Sequence, residues 1–149
     1  MLDNLELKGE LTLRFEREDG SVDEYNYNNL IVNGGFAYIA SRMKDATATA
    51  MSHMAVGTSA TAAGATQSAL VTELARVALT STTIVTTNVA NDSVQYVATF
   101  PAGTATGAIT EAGIFNASSA GTMLNRTVFS VQNKGASDSL TVTWKVTAQ

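Results

Sequence analysis

The chain has 149 residues, 45% of them apolar, with 13 acidic and nine basic side chains, one histidine and a formal net charge of −4. That length suits a single domain spanning residues 1–149, with a core large enough to need no covalent staples. The absence of cysteine excludes disulfides, thiolate metal sites and a cysteine nucleophile. An acidic chain with no basic stripe also lacks the electrostatic footprint of a nucleic-acid binder, so no nucleic-acid partner is expected.

The opening segment, MLDNLELKGE, is acidic and alternating, unlike the basic-then-apolar layout of an export signal. Apolar runs such as NLIV and FAYIA are far shorter than the roughly 18 residues of a membrane span. A soluble protein with no membrane partner is the expectation. Leu5, Leu7, Leu11, Leu13 and Phe15 hold odd positions against polar even ones, the period of a half-buried strand. EDGS at 18–21 is a hairpin turn signal, because Asp19-Gly20 tolerates the positive φ of a tight turn. A second strand follows with Val22, Tyr25 and Tyr27.

The period then changes. Phe36, Ile39, Ala40 and Met43 fall at helical spacing, which predicts one short amphipathic α-helix over about residues 34–44. Asn33 is placed to cap its N-terminus, and Arg42 and Lys44 suit the negative end of the helix dipole. Gly34-Gly35 reads as a tight strand-to-helix turn, since the rest of a phosphate-loop motif is missing.

MSHMAVG at 51–57 reads as a short buried strand carrying the lone His53. One imidazole without a second nitrogen or thiolate ligand makes no zinc site, and a hydrogen-bonded structural histidine is the expectation. The small-residue loop GTSATAAGATQS at 57–68 leads into a turn of possible helix in ALVTELAR. RVALTSTTIV, SVQYVATF, the hairpin at 108–129 and SLTVTWKVT read as further strands. In the last, Leu140, Val142, Trp144 and Val146 share one face, with Trp144 as core anchor. Pro101, the single proline, ends a strand. Many short strands between turn signals predict an all-β, jelly-roll-like sandwich or barrel with one helix attached.

Charge thins along the chain. The first 45 residues hold nine acids and five bases, leaving four of each for the remainder. A face so poor in charge suits either a protein interface or the Thr-rich surface of an extracellular or virion β-protein. Glu111 and Arg126 flank the hairpin in AITEAGIFNASSAGTMLNRTVF. A turn centred between Ser118 and Ser119 puts Glu111 opposite Arg126 and Ile109 opposite Val128, and such a structural pair favours the correct register by roughly 0.2–1 kcal/mol. No catalytic constellation, metal site or cofactor motif assembles in the sequence, so no enzymatic activity and no cofactor are expected. A carbohydrate-binding or hydrolytic β-sandwich, using exposed Tyr and scattered acids such as Asp92 and Glu111, is the competing class.

The segments NLIVNGGFAYIASRM, MSHMAVGTSATAAGATQSALVTELARVAL and ATFPAGTATGAITEAGIFNASSAGTMLNRTVFSVQNKGASDSLTVTWKV resemble a family of small virion proteins of tailed bacteriophages. The 108–129 hairpin also resembles a segment of phage tail-fibre and collar modules. A short chain free of fibre-like repeats is most similar to the capsid cement, or decoration, proteins. That resemblance implies a structural protein on the outer capsid surface of the virion, assembled in the host bacterial cytoplasm. It implies the major capsid protein as partner and a dimer or trimer of the chain itself. The alternative it implies is a tail-fibre, collar or baseplate adaptor. Candidate contact elements are the hairpin tip at Asp19 and Gly20, the 57–68 loop and open strand edges. Tyr25 and Tyr27 read as aromatic anchors at an interface or as core packing on the second strand.

Overall fold

The computed structural model describes residues 5–149. In chain order the elements are β1 (Leu7–Glu16), β2 (Val22–Asn28), β3 (Leu30–Ile31), α1 (Asn33–Lys44), β4 (His53–Gly57), β5 (Glu73–Ala78), β6 (Ser81–Val85), β7 (Ser93–Phe100), β8 (Gly107–Phe115), β9 (Met123–Lys134) and β10 (Ser139–Ala148). They form two five-stranded antiparallel sheets, ordered β2-β1-β10-β7-β6 and β3-β9-β8-β4-β5. Neither sheet closes on itself, so the body is a sandwich with one short helix, as the alternating segments imply.

Alternation places the core. Leu11, Leu13 and Phe15 of β1, Ala98 and Phe100 of β7, and Leu140, Val142 and Trp144 of β10 are fully buried on the inner face of the first sheet. They meet Met54, Val56, Ile109, Ala112 and Ile114 of the second sheet in one continuous cluster. β1 and β10 pair along ten residues, from Leu7 opposite Ala148 to Glu16 opposite Ser139, which ties the two ends of the described chain together at the centre of the first sheet. The β1–β2 hairpin turns at Gly20, whose φ is +84°, and β7 stops at Phe100, just before Pro101.

The centre of the second sheet is covered on both faces. From Ile109 to Phe115 every residue of β8 is buried. A smaller cluster of Val32, Ala55, Leu70, Phe115 and Met123 seals its outer side under the 58–72 loop. Such a strand loses its alternation, because no face of it meets water.

Several expectations are corrected. ALVTELAR contributes no helix: its second half is the start of β5. RVALTSTTIV is two strands in different sheets, with Leu79 and Thr80 carrying the chain from one to the other. The helix begins at Asn33, and the capping position is Val32, with no side-chain cap. The Asn33 amide donates instead to the carbonyl of Ala65 at 2.8 Å, so the 58–72 loop satisfies a donor that the helix start leaves free. Nor does α1 bury the stripe of Phe36, Ala40 and Met43. Gly35 is its one buried residue, Tyr38 and Ile39 are half-buried, and Phe36 and Met43 are 52% and 78% exposed. The helix rests on β9 through Gly35, where a methyl group would collide with the carbonyl of Leu124.

Candidate functional site

Glu111 and Arg126 are both fully buried on the second sheet. The register between them differs from the one expected. Glu111 lies opposite Val128 and Arg126 opposite Gly113, because the turn centres on Ser119 and the β8–β9 ladder slips between Ile114 and Phe115; a second slip between Ile109 and Glu111 sets Ile109 opposite Gln132. The pair therefore closes diagonally. Arg126 donates from Nε and Nη2 to Glu111 Oε2 at 3.0 and 2.8 Å.

The rest of the carboxylate holds the loop. Glu111 accepts from the backbone amides of Thr72 (2.8 Å), Val71 (3.0 Å) and Ser59 (3.3 Å). The remaining reach of Arg126 goes to Gln67 Oε1 through Nη1 at 3.0 Å. Gln67 in turn accepts from the Gly64 amide and donates to the Ala62 carbonyl. Both ends and the middle of the 58–72 loop thus converge on one buried ion pair. Gly57 permits this approach, since a side chain there would collide with the Glu111 carboxylate and the Thr72 carbonyl. A carboxylate with five donors and no solvent access is an organiser of structure.

A second cation fixes the neighbouring turn. Arg76 of β5 donates to the carbonyls of Ala117 and Ala120, both at 2.9 Å, forks onto Glu73 at 3.0 and 2.7 Å, and lies 3.8 Å from the centroid of Phe115. This locks the β8–β9 turn against the sheet.

At the EDGS end, Arg17 links β1 to the β9–β10 turn. Its Nη1 donates to Asp138 Oδ2 at 2.9 Å and its Nε to Asp23 Oδ2 at 3.0 Å, with the guanidinium over Phe15. Hydrogen bonds from the Gly135 amide and from Arg17 hold the Asp138 carboxyl below the usual carboxylate range. Lys134, 2% exposed, donates to the carbonyls of Asp138 and Pro101, and burial pulls its ammonium below the ordinary lysine value. Asp19 lies in the exposed turn, where Oδ1 accepts from the Ser21 amide at 2.8 Å, and nothing crowds Gly20.

Tyr25 and Tyr27 are half-buried and packed against the core. Tyr25 meets Phe15 edge-on at 6.2 Å, and Tyr27 stacks on Phe129 at 5.0 Å while its hydroxyl accepts from Gln132. Of the two readings open for them, the structure makes contacts of core packing. Trp144 is fully buried, in keeping with its role as anchor. His53 Nδ1 meets Ser52 Oγ at 2.8 Å on β4. Among the described residues no three His, Asp or Glu side chains are grouped to hold a metal ion.

An apolar groove of about 470 Å³ runs between α1 and the edge of the first sheet, with Tyr38, Ile39, Met43, Ile84, Val94 and Tyr96 among its walls. Burial raises the Tyr96 hydroxyl to about 12. Beside it, Asp92 accepts from the amides of Thr87, Asn88 and Val89, each at 2.8 Å, and those bonds depress its carboxyl. Sequence reasoning missed this groove because it depends on which face of α1 turns inward. It missed the Arg17–Asp138 bridge because the two lie 121 positions apart. Against this geometry, no family model, no curated protein and no solved structure matches the chain.

Proposed function

We propose that the chain is a structural protein of a tailed-bacteriophage particle, a cement protein that binds the outer shell and bridges neighbouring major capsid subunits. The observation that carries this reading is the 58–72 loop, a rigidly seated surface within a run from residue 46 to 72 that has no Asp, Glu, Lys or Arg. Small uncharged side chains lose little entropy when covered, and a loop already held in one shape loses less still on binding. A cement protein favours the assembled shell because it binds that state and not the free subunit. Contact through several copies multiplies modest interfaces by effective concentration.

A tail-fibre, collar or baseplate adaptor is the second reading, and the likeness of the 108–129 hairpin favours it. That hairpin is the interior of the second sheet, so its likeness speaks to packing more than to location on a particle. Co-sedimentation separates the readings. Mixed with capsids that lack it, a cement protein pellets with the shells; recovery of the protein in the supernatant, with labelling at the tail in electron micrographs, would transfer the assignment to the adaptor.

A further inference from the structure

Four strands lie at sheet edges: β2 and β6 in the first sheet, β3 and β5 in the second. Open edges expose unpaired backbone groups, and proteins usually blunt them with charge, brevity or a bulge. Three of the four are blunted here. β2 carries Asp23 and Glu24, β3 is two residues long, and β5 carries the Glu73–Arg76 pair beside a register shift opposite Val56 and Gly57.

β6 has none of these protections. Its sequence, STTIV, has no charge, no glycine and no proline, and its pairing with β7 runs without a shift. Thr82 and Ile84 sit opposite Tyr96 and Val94 and line the groove beneath α1. Ile84 is 60% exposed and Met43, across the groove, 78%. An added strand would therefore meet free backbone and an apolar shelf at once.

We propose that β6 pairs antiparallel with β6 of a second copy of this chain, about a twofold axis through Thr83. The strand complements itself in that register: Ser81 faces Val85 of the second copy, Thr82 faces Ile84, and Thr83 faces its own counterpart. No like charges meet, and two Thr–Ile pairs sit on the groove side, extending the apolar shelf across the axis. The arrangement joins the first sheets of two protomers into one continuous sheet and leaves the 58–72 loop outside the contact. It forms without a capsid and is independent of the cement reading.

The chain has no cysteine, so single thiols test the register directly. Residues directly opposite in an antiparallel pair are about 4.5–5.5 Å apart at Cα, within disulfide range. Thr83→Cys should crosslink to a covalent dimer under mild oxidant, whereas Ser81→Cys, whose counterpart lies more than about 13 Å away along the strand, should not. Sedimentation equilibrium should give twice the 15.6 kDa protomer mass for the unmodified chain. It should give the single mass for Ile84→Glu, with folding checked by far-ultraviolet circular dichroism. A protomer mass for the unmodified chain from micromolar to millimolar concentration would overturn the proposal. So would a dimer that persists in folded Ile84→Glu, or one in which Thr83→Cys crosslinks no better than Ser81→Cys.

Discussion

Arg126 places two hydrogen bonds on one oxygen of Glu111, although the residue opposite Glu111 on the neighbouring strand is Val128. The shifted ladder sets the two charges diagonally, and a contact confined to one carboxylate oxygen leaves the second for the loop amides of Ser59 and Thr72. Charge pairing, sheet irregularity and loop shape are one device.

Removing Glu111 should therefore do two things. Glu111→Ala leaves a buried guanidinium without its counter-charge, and a loss of about 3–5 kcal/mol is expected in urea unfolding. Amide exchange at Ser59, Val71 and Thr72 should accelerate beyond that of the sheet as a whole. A loop that keeps its protection would show that other contacts seat it.

Gly34 and Gly35 are adjacent and should behave oppositely. An alanine methyl at 35 would meet the Leu124 carbonyl, and Gly35→Ala is expected to lose about 1–3 kcal/mol through overpacking. At 34 the nearest atom, the Met123 carbonyl oxygen, is 3.6 Å away, and Gly34→Ala should gain about 0.5–1 kcal/mol from helix propensity. Thermal unfolding of the two variants reads the sign directly.

Asp138 gives a pH signature. Its folded-state carboxyl titrates below the ordinary value of 3.8, so its contribution is fully present above that pH and is lost as pH falls through the depressed folded value. Asp138→Asn should be less stable than the unmodified protein at neutral pH, and the gap should narrow below pH 3.8. Urea midpoints across that range check it.

Much of the fold was legible where one face of a strand meets water. β1, β7 and β10 alternate cleanly, so their inward residues and the anchoring Trp144 follow from period two. β8 is buried on both faces, so its pattern carries no register. A turn centred on Ser119 and the slip between Ile114 and Phe115 each displaced the Glu111–Arg126 alignment by one position, although the partnership itself was readable from two isolated charges. The helix was legible as a helix, but its inward face was not. Gly35, with no side chain to mark it, makes the closest contact, and Phe36 and Met43 stay outside. The start of β5 read as a turn of possible helix because Leu70, Glu73 and Leu74 match helical spacing, while its true environment is set by β4, some 20 residues earlier in the chain.

Tyr27 distinguishes packing from docking. Tyr27→Phe keeps the stack on Phe129 and removes only the acceptor for Gln132, so a loss of about 0.5–1.5 kcal/mol in stability is expected. If the chain is a cement protein, co-sedimentation of the folded variant with capsids should match that of the unmodified chain. A stable variant that no longer co-sediments with shells would return Tyr27 to the interface.

The most direct test is an electron cryomicroscopy reconstruction of capsids incubated with the protein. For a cement protein, density for the sandwich should lie on the outer shell and span more than one capsid subunit, with the 58–72 loop pressed against the capsid surface. Bare shells at saturating protein, or density in which that loop faces solvent while another surface makes the contact, would contradict that reading.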